Sequence, residues 1–142
     1  MFKRVLILVA GLLVMSQSAL ANNGFWSHHK VLFIFSSQCP HCQKMGPVMK
    51  QWIDNSSVPF EGVSIDGQGL PSITQFSYPS QDLMQAAFPS GQIVYPASFI
   101  LNTDNYQLFA IGLGAMDYQT LNTRVNTLMP KIVSYEGARH AV

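Results

Sequence analysis

The sequence predicts an α/β domain, a mixed central sheet with helices on both faces. Three observations carry that expectation. An apolar run, KVLFIFS (30–36), passes into an amphipathic helical pattern and then into a second strand-like segment, PFEGVSID (59–66), which is the order of a parallel strand–helix–strand unit. Two later apolar segments, ASFILN (97–102) and YQLFAI (106–111), flank the turn TDN as an antiparallel hairpin. The only two cysteines, Cys39 and Cys42, fall where the first strand gives way to the first helix, the end of an open α/β sheet at which chemistry collects.

The elements follow in order. The first strand is continuously apolar and rich in Val, Ile and Phe, as a strand buried on both faces must be. The helix after it places Met45, Val48, Met49, Trp52 and Ile53 on one side, a stripe that reads as core. Pro40 suits its first turn, where a missing N–H costs nothing. Pro47 falls inside the pattern and predicts a kink, and Asn55 with the Ser-Ser pair ends it. DGQGLP is a loop. Ser80 caps a short helix, SQDLMQAAF, that stops at Pro89. Gly112 and Gly114 break the chain after the hairpin. Asp117 then opens a last helix carrying Tyr118, Leu121, Val125, Leu128 and Ile132 at helical spacing, with an interruption expected at Pro130.

Compartment decides what a cysteine pair can be. MFKR, the apolar run VLILVAGLLVM and an Ala-Leu-Ala end form an export signal over residues 1–21, with cleavage expected after Ala21. The alternative is a membrane anchor, but the run falls well short of the roughly 20 apolar residues that span a bilayer. The remaining residues 22–142 suffice for one domain and carry six Lys and Arg against seven Asp and Glu. Without a basic run, nucleic acid and acidic membrane surfaces lose support as partners. In an oxidising compartment a structural disulfide stabilises by closing a long loop, and a Cys39–Cys42 bridge would close almost nothing.

Redox chemistry, metal binding and haem attachment remain for the pair. A thiol attacks a disulfide as thiolate, and Cys39 sits at a helix start, facing unpaired N–H groups and the positive end of the dipole. His41 adds a donor close by and is expected to stabilise that thiolate. Cys42, one turn in, is expected to be shielded and to resolve a mixed disulfide formed at Cys39. Zinc wants four ligands, whereas Cys39 and Cys42 have only His28, His29 or His41 to join them. Covalent haem wants His directly after the second cysteine, and that residue is Gln43. An inert thiol pair is the blandest alternative, at an odd position for one.

KVLFIFSSQCPHCQKMGP resembles the active-site segment of the thioredoxin superfamily, with Pro47 eight residues after Cys39. YPASFIL (95–101) looks like the segment carrying that fold's cis-proline, which falls at Pro96, and GLG (112–114) resembles the glycine region before the last helix. Within the superfamily, PVMKQW, SIDGQG, PSQDLMQAAFP, PASFILN and RVNTLM resemble the TrbB-type conjugative-transfer thiol-disulfide isomerases. The Pro-His-Cys of the motif is shared with DsbA-type oxidases.

The resemblance implies a thioredoxin-like fold and a periplasmic enzyme that makes or rearranges disulfides, isomerase favoured, in exported cysteine-containing proteins, including those of a conjugation apparatus. It implies Cys39 as nucleophile, Cys42 as resolving thiol, Pro40 and His41 as tuning residues, and Tyr95–Pro96 as the edge that meets an extended substrate. No bound cofactor is needed, but a membrane redox partner must reset the pair. The chain lacks room for a helical insertion or dimerisation domain, so a monomer is expected. A redox-inactive chaperone or assembly module of the same fold is the alternative. Thioredoxins and DsbA-type oxidases keep a buried acid six residues before the first cysteine, and here that residue is Phe33. The proton acceptor for Cys42 then falls to Glu61, Asp66 or solvent. Tyr95 reads as packing rather than recognition, and His28 and His29 as solvated.

Overall fold

The computed structural model describes residues 24–141; the expected export signal and its cleavage point lie outside the described residues. The elements are β1 (His29–Phe35), α1 (Pro40–Ser56), β2 (Phe60–Ser64), α2 (Gln81–Ala87), β3 (Ala97–Asn102), β4 (Leu108–Leu113) and α3 (Tyr118–His140), in the order expected. The sheet order is β2-β1-β3-β4. β1 pairs parallel with β2 and antiparallel with β3, and β3 pairs antiparallel with β4.

β1 lies in the middle because its sequence can be buried on both sides. Val31, Phe33 and Phe35 face α1 and α3, packing with Met45, Met49 and Trp52 from one helix and Leu121, Val125 and Ile132 from the other. Leu32 and Ile34 face the opposite way, against Val63, Ala97, Phe99 and Leu101 and the α2 side. Each fully buried side chain of this size contributes about 1.5–3 kcal/mol relative to exposure. This two-faced core fixes the register of β1, since a slip of one residue would exchange the two sets.

Three boundaries depart from the sequence reading. α1 runs through Pro47, as expected of a proline inside the pattern, but α3 continues through Pro130 to His140 rather than being interrupted there. Both prolines lie on exposed sides of their helices, so the carbonyl each leaves without an N–H partner can turn to water. The hairpin loop is longer than TDN. The Asn102 side chain accepts hydrogen bonds from the backbone N–H groups of Asp104 (2.8 Å) and Asn105 (3.2 Å), and Tyr106 takes a left-handed φ of 60°. β4 therefore starts at Leu108 and extends through Gly112. A Cβ at Gly112 would come within 2.5 Å of Arg124 Nη1 and 2.6 Å of Met116 Cε, so glycine there admits side chains from beyond the strand. The break falls at Gly114, whose φ is +92°.

Candidate redox site

β1 and β2 end, and β3 begins, at one edge of the sheet, and Cys39 lies there. Its backbone is extended (φ −82°, ψ 119°) and it serves as the N-cap of α1. Serine, threonine, aspartate or asparagine usually fills this position, presenting an oxygen to the first-turn N–H groups. Here the sulfur takes that place, accepting a hydrogen bond from the Cys42 N–H at 3.3 Å. The Cys39 N–H donates to the Ser36 carbonyl at 3.2 Å, which closes the turn from strand to helix. Pro40 follows as the first helical residue, as its fixed φ and missing N–H suit.

The two thiols, both free, differ in setting. Cys39 retains 8% of its surface and Cys42 none. Burial first, then the hydrogen bond with Cys39, pushes the Cys42 thiol up to about 12, against a backbone hydrogen bond from Ser36 that favours its thiolate. His41 points outward. Opposite Cys39, the Tyr95 carbonyl oxygen stands 3.8 Å from the sulfur, and the Tyr95–Pro96 peptide is cis. Pro96 is buried, whereas Tyr95 is 40% exposed, which corrects its reading as a packing residue.

His29 is also corrected. Its ring is buried, stacked on Phe25 at 4.0 Å, with Nδ1 2.8 Å from the Phe25 carbonyl and Nε2 3.0 Å from Glu136 Oε1. His28 is exposed, as expected, beside Asp104. Both lie at the start of β1, about 20 Å of strand from its other end, so neither joins the cysteines in a ligand set.

The carboxylates separate by face and by partner. Glu61 is the cross-strand partner of Leu32, on the opposite side of the sheet from Phe33 and Cys42, and is paired with Lys30. Asp66 lies at the cysteine end. It accepts hydrogen bonds from Ser37 Oγ (2.5 Å), Ser37 N (3.0 Å), Ser36 Oγ (3.3 Å), Ser64 Oγ (2.9 Å) and Gln68 N (3.3 Å). The Ser37 hydroxyl foremost, with these other donors, holds its carboxyl well below the usual aspartate range. Asp66 thereby ties the loop before Cys39 to the loop after β2. Sequence reading found Asp66 as a titratable group but missed this tie, for which SSQ before the first cysteine was the available signal.

The family model described as "TraF: F plasmid transfer operon protein" matches residues 16–126, well over half of the chain. The chain belongs to the TraF family. Among curated proteins, this TraF-family chain is 26% identical over 110 residues to Protein TrbB of Escherichia coli K12. That match covers 78% of the chain but only 61% of the relative's length. Among solved structures, a thiol:disulfide interchange protein of the thioredoxin family from Chlorobium tepidum superposes with a TM-score of 0.56 at 16% identity, covering 75% of this chain and 83% of that one. The thioredoxin domain of a thiol-disulfide oxidoreductase from Bacteroides vulgatus gives 0.50 at 15%, with the same coverage. The fold of this TraF-family protein is thioredoxin-like, and the sequence resemblance stands.

Proposed function

We propose that the protein is a thiol-disulfide oxidoreductase acting on exported cysteine-containing proteins, as an isomerase in the periplasm that serves a conjugative transfer apparatus. The observation that carries this reading is the inequality of the two thiols. Cys39, at a helix cap beside the Tyr95 carbonyl, keeps some surface; Cys42, one turn on, is wholly buried and pushed up to about 12. A nucleophile must reach its target and a resolving thiol must wait, and this pair divides those duties.

In the first step the Cys39 thiolate attacks one sulfur of a client disulfide. A Cys39–client disulfide forms, and the client's other sulfur leaves as thiolate. In the second, Cys42 gives up its proton and attacks Cys39, forming the Cys39–Cys42 disulfide and releasing the client thiolate. In an isomerase cycle the client thiolate freed in the first step instead attacks a different client disulfide, and the thiolate that this frees attacks the client sulfur of the mixed disulfide and expels Cys39 as thiolate. His41, exposed next to Cys39, favours the charged sulfur. The Tyr95–Pro96 backbone supplies an edge to an extended client segment. The pair needs no bound cofactor, a membrane redox partner resets it, and the domain works as a monomer.

Conjugative duty is supported by the family match and by the likeness to TrbB. Among the described residues no helix is long and apolar enough to cross a membrane. The test is recovery of scrambled ribonuclease together with insulin reduction, with Cys39→Ser beside the wild type. Recovery that depends on Cys39 supports the reading. Client holding without any turnover, equal in wild type and Cys39→Ser, would instead establish a redox-inactive chaperone.

A further inference from the structure

Cys39 reaches its place through the short loop that begins Ser36-Ser37, and hydrogen bonds hold that loop from two sides. Ser36 meets both cysteines, since its carbonyl accepts from the Cys39 N–H at 3.2 Å and its backbone hydrogen-bonds to Cys42. The Ser37 carbonyl accepts from the Gln43 side-chain amide, in the first turn of α1, at 2.9 Å. One carboxylate holds the loop from the β2 side. Asp66 Oδ2 accepts from Ser37 Oγ (2.5 Å), Ser37 N (3.0 Å) and Ser36 Oγ (3.3 Å). Its other oxygen, Oδ1, accepts from Ser64 Oγ (2.9 Å) and Gln68 N (3.3 Å). This second set steadies the bracket itself, because Ser64 Oγ also meets the Gln68 carbonyl at 2.7 Å and the Gln68 N–H at 3.0 Å. Ser64 is the last residue of β2. Asp66 therefore carries the position of the sheet to the two residues that precede the redox motif.

The other roles open to an acid here do not suit it. The donors around Asp66 hold it ionised, which makes it a poor base for the proton of Cys42. Its charge opposes ionisation of Cys42 rather than assisting it. What its geometry supplies is place.

We propose that Asp66 is a positioning residue of the redox pair, which through Ser36 and Ser37 holds Cys39 where Cys42 can close on it and so favours resolution of a mixed disulfide. The inference rests on the oxidoreductase reading. In the resolving step Cys42 Sγ bonds to Cys39 Sγ as the Cys39–client S–S bond breaks, and the client sulfur leaves with the electron pair of that bond. The proton lost by Cys42 passes to water, and the departing thiolate takes one up from water, so only the mixed disulfide is consumed. Closure between two thiols of one chain gains its advantage from how narrowly the reacting atoms are held. A loop released from Asp66 widens the range of Cys39, and closure loses part of that advantage. Attack by Cys39 on an external disulfide loses none, because its partner arrives from solution.

The test uses the full chain as wild type, Asp66→Ala, Asp66→Asn and Ser37→Ala, each with and without Cys42→Ser. Every protein is equilibrated at pH 7 with reduced and oxidised glutathione, quenched with acid, and its redox forms are counted by intact mass. The two-thiol proteins give the constant for forming the Cys39–Cys42 disulfide. The Cys42→Ser forms give the constant for the first step, a glutathione disulfide at Cys39, and the quotient is the closure constant. Asp66→Ala is expected to lower closure about tenfold, short of the roughly 10²-fold that a displacement of about 1 Å can cost, and to leave the first step unchanged. Asp66→Asn still offers an oxygen to the serine donors and should keep most of the wild-type closure. Ser37→Ala removes one donor and should lower closure by less than Asp66→Ala. It decides the matter where Asp66→Ala does not fold, and closure unchanged in Ser37→Ala then overturns the inference. So does an Asp66→Asn loss equal to that of Asp66→Ala, which would make charge the agent, or an equal loss in the first step. A wild type that forms no internal disulfide with oxidised glutathione overturns the oxidoreductase reading itself. Equal closure in wild type and folded Asp66→Ala removes only the role of Asp66.

Discussion

Replacing Cys39 by serine leaves Cys42 as the sole thiol, which turns its setting into a rate. Serine keeps an acceptor for the Cys42 N–H, and burial, the largest cause of the raised value, is untouched, whereas the smaller contributions of the Cys39 thiol are removed, so the wild-type value sets the upper limit of the effect. A thiol held at about 12 is ionised in roughly one molecule in 10⁵ at pH 7, against about one in 30 for an ordinary cysteine near 8.5. The thiolate population therefore falls about 3 × 10³-fold. A more basic thiolate is also a better nucleophile, with a Brønsted slope of about 0.4–0.5, which returns roughly 30-fold. The net expectation is alkylation about 10²-fold slower than a free thiol, before steric shielding by α1 and β1 slows it further. The assay is iodoacetamide labelling of Cys39→Ser at pH 7, native and in denaturant, read by intact mass. Native labelling within about tenfold of the denatured rate would refute the argument, because burial and elevated pKa together cannot permit it.

The remaining predictions follow from the same geometry. The folded value of Cys42 is raised from about 9 to about 12, so its thiol contributes stability below about pH 9 that is lost as pH rises toward 12. Reduced wild type should thus unfold more readily across that window while Cys42→Ser does not, as read by denaturant midpoints; parallel curves refute it. His41→Ala should weaken support for the thiolate and make the disulfide harder to reduce, by about 30 mV for each tenfold change in the glutathione equilibrium. An unchanged potential would make His41 a bystander. Phe33→Ala should cost about 3–5 kcal/mol, since Phe33 is fully buried and stacks on Phe35 at 5.7 Å. A loss under about 1 kcal/mol would mean the cavity collapses.

Much of this was legible because it is local. KVLFIFS buries both faces without alternation, and the Met45–Met49–Trp52 stripe repeats at helical spacing. Ser80 and Asp117 announce the starts of α2 and α3, and each accepts a first-turn N–H as expected, from Leu83 and Thr120. The cysteine motif was equally readable, since its chemistry depends on three-residue spacing and the helix behind it. What could not be read locally were the side chains whose surroundings come from distant strands. His29 looks solvated in sequence, but α3 brings Glu136 back across 107 residues to meet its ring. Pro130 looks like a stop, but a proline on the outer side of a helix packed through Leu121, Val125 and Ile132 costs too little to break it.

The same distinction bears on the proton of Cys42. A search for its acceptor along the sequence looks six residues before Cys39, finds Phe33, and turns to the nearest acids. The sheet supplies no substitute: pairing of β1 with β3 sets Ser98 directly across from Phe33, but among the described residues its hydroxyl has no hydrogen-bond partner and so is bonded to neither thiol.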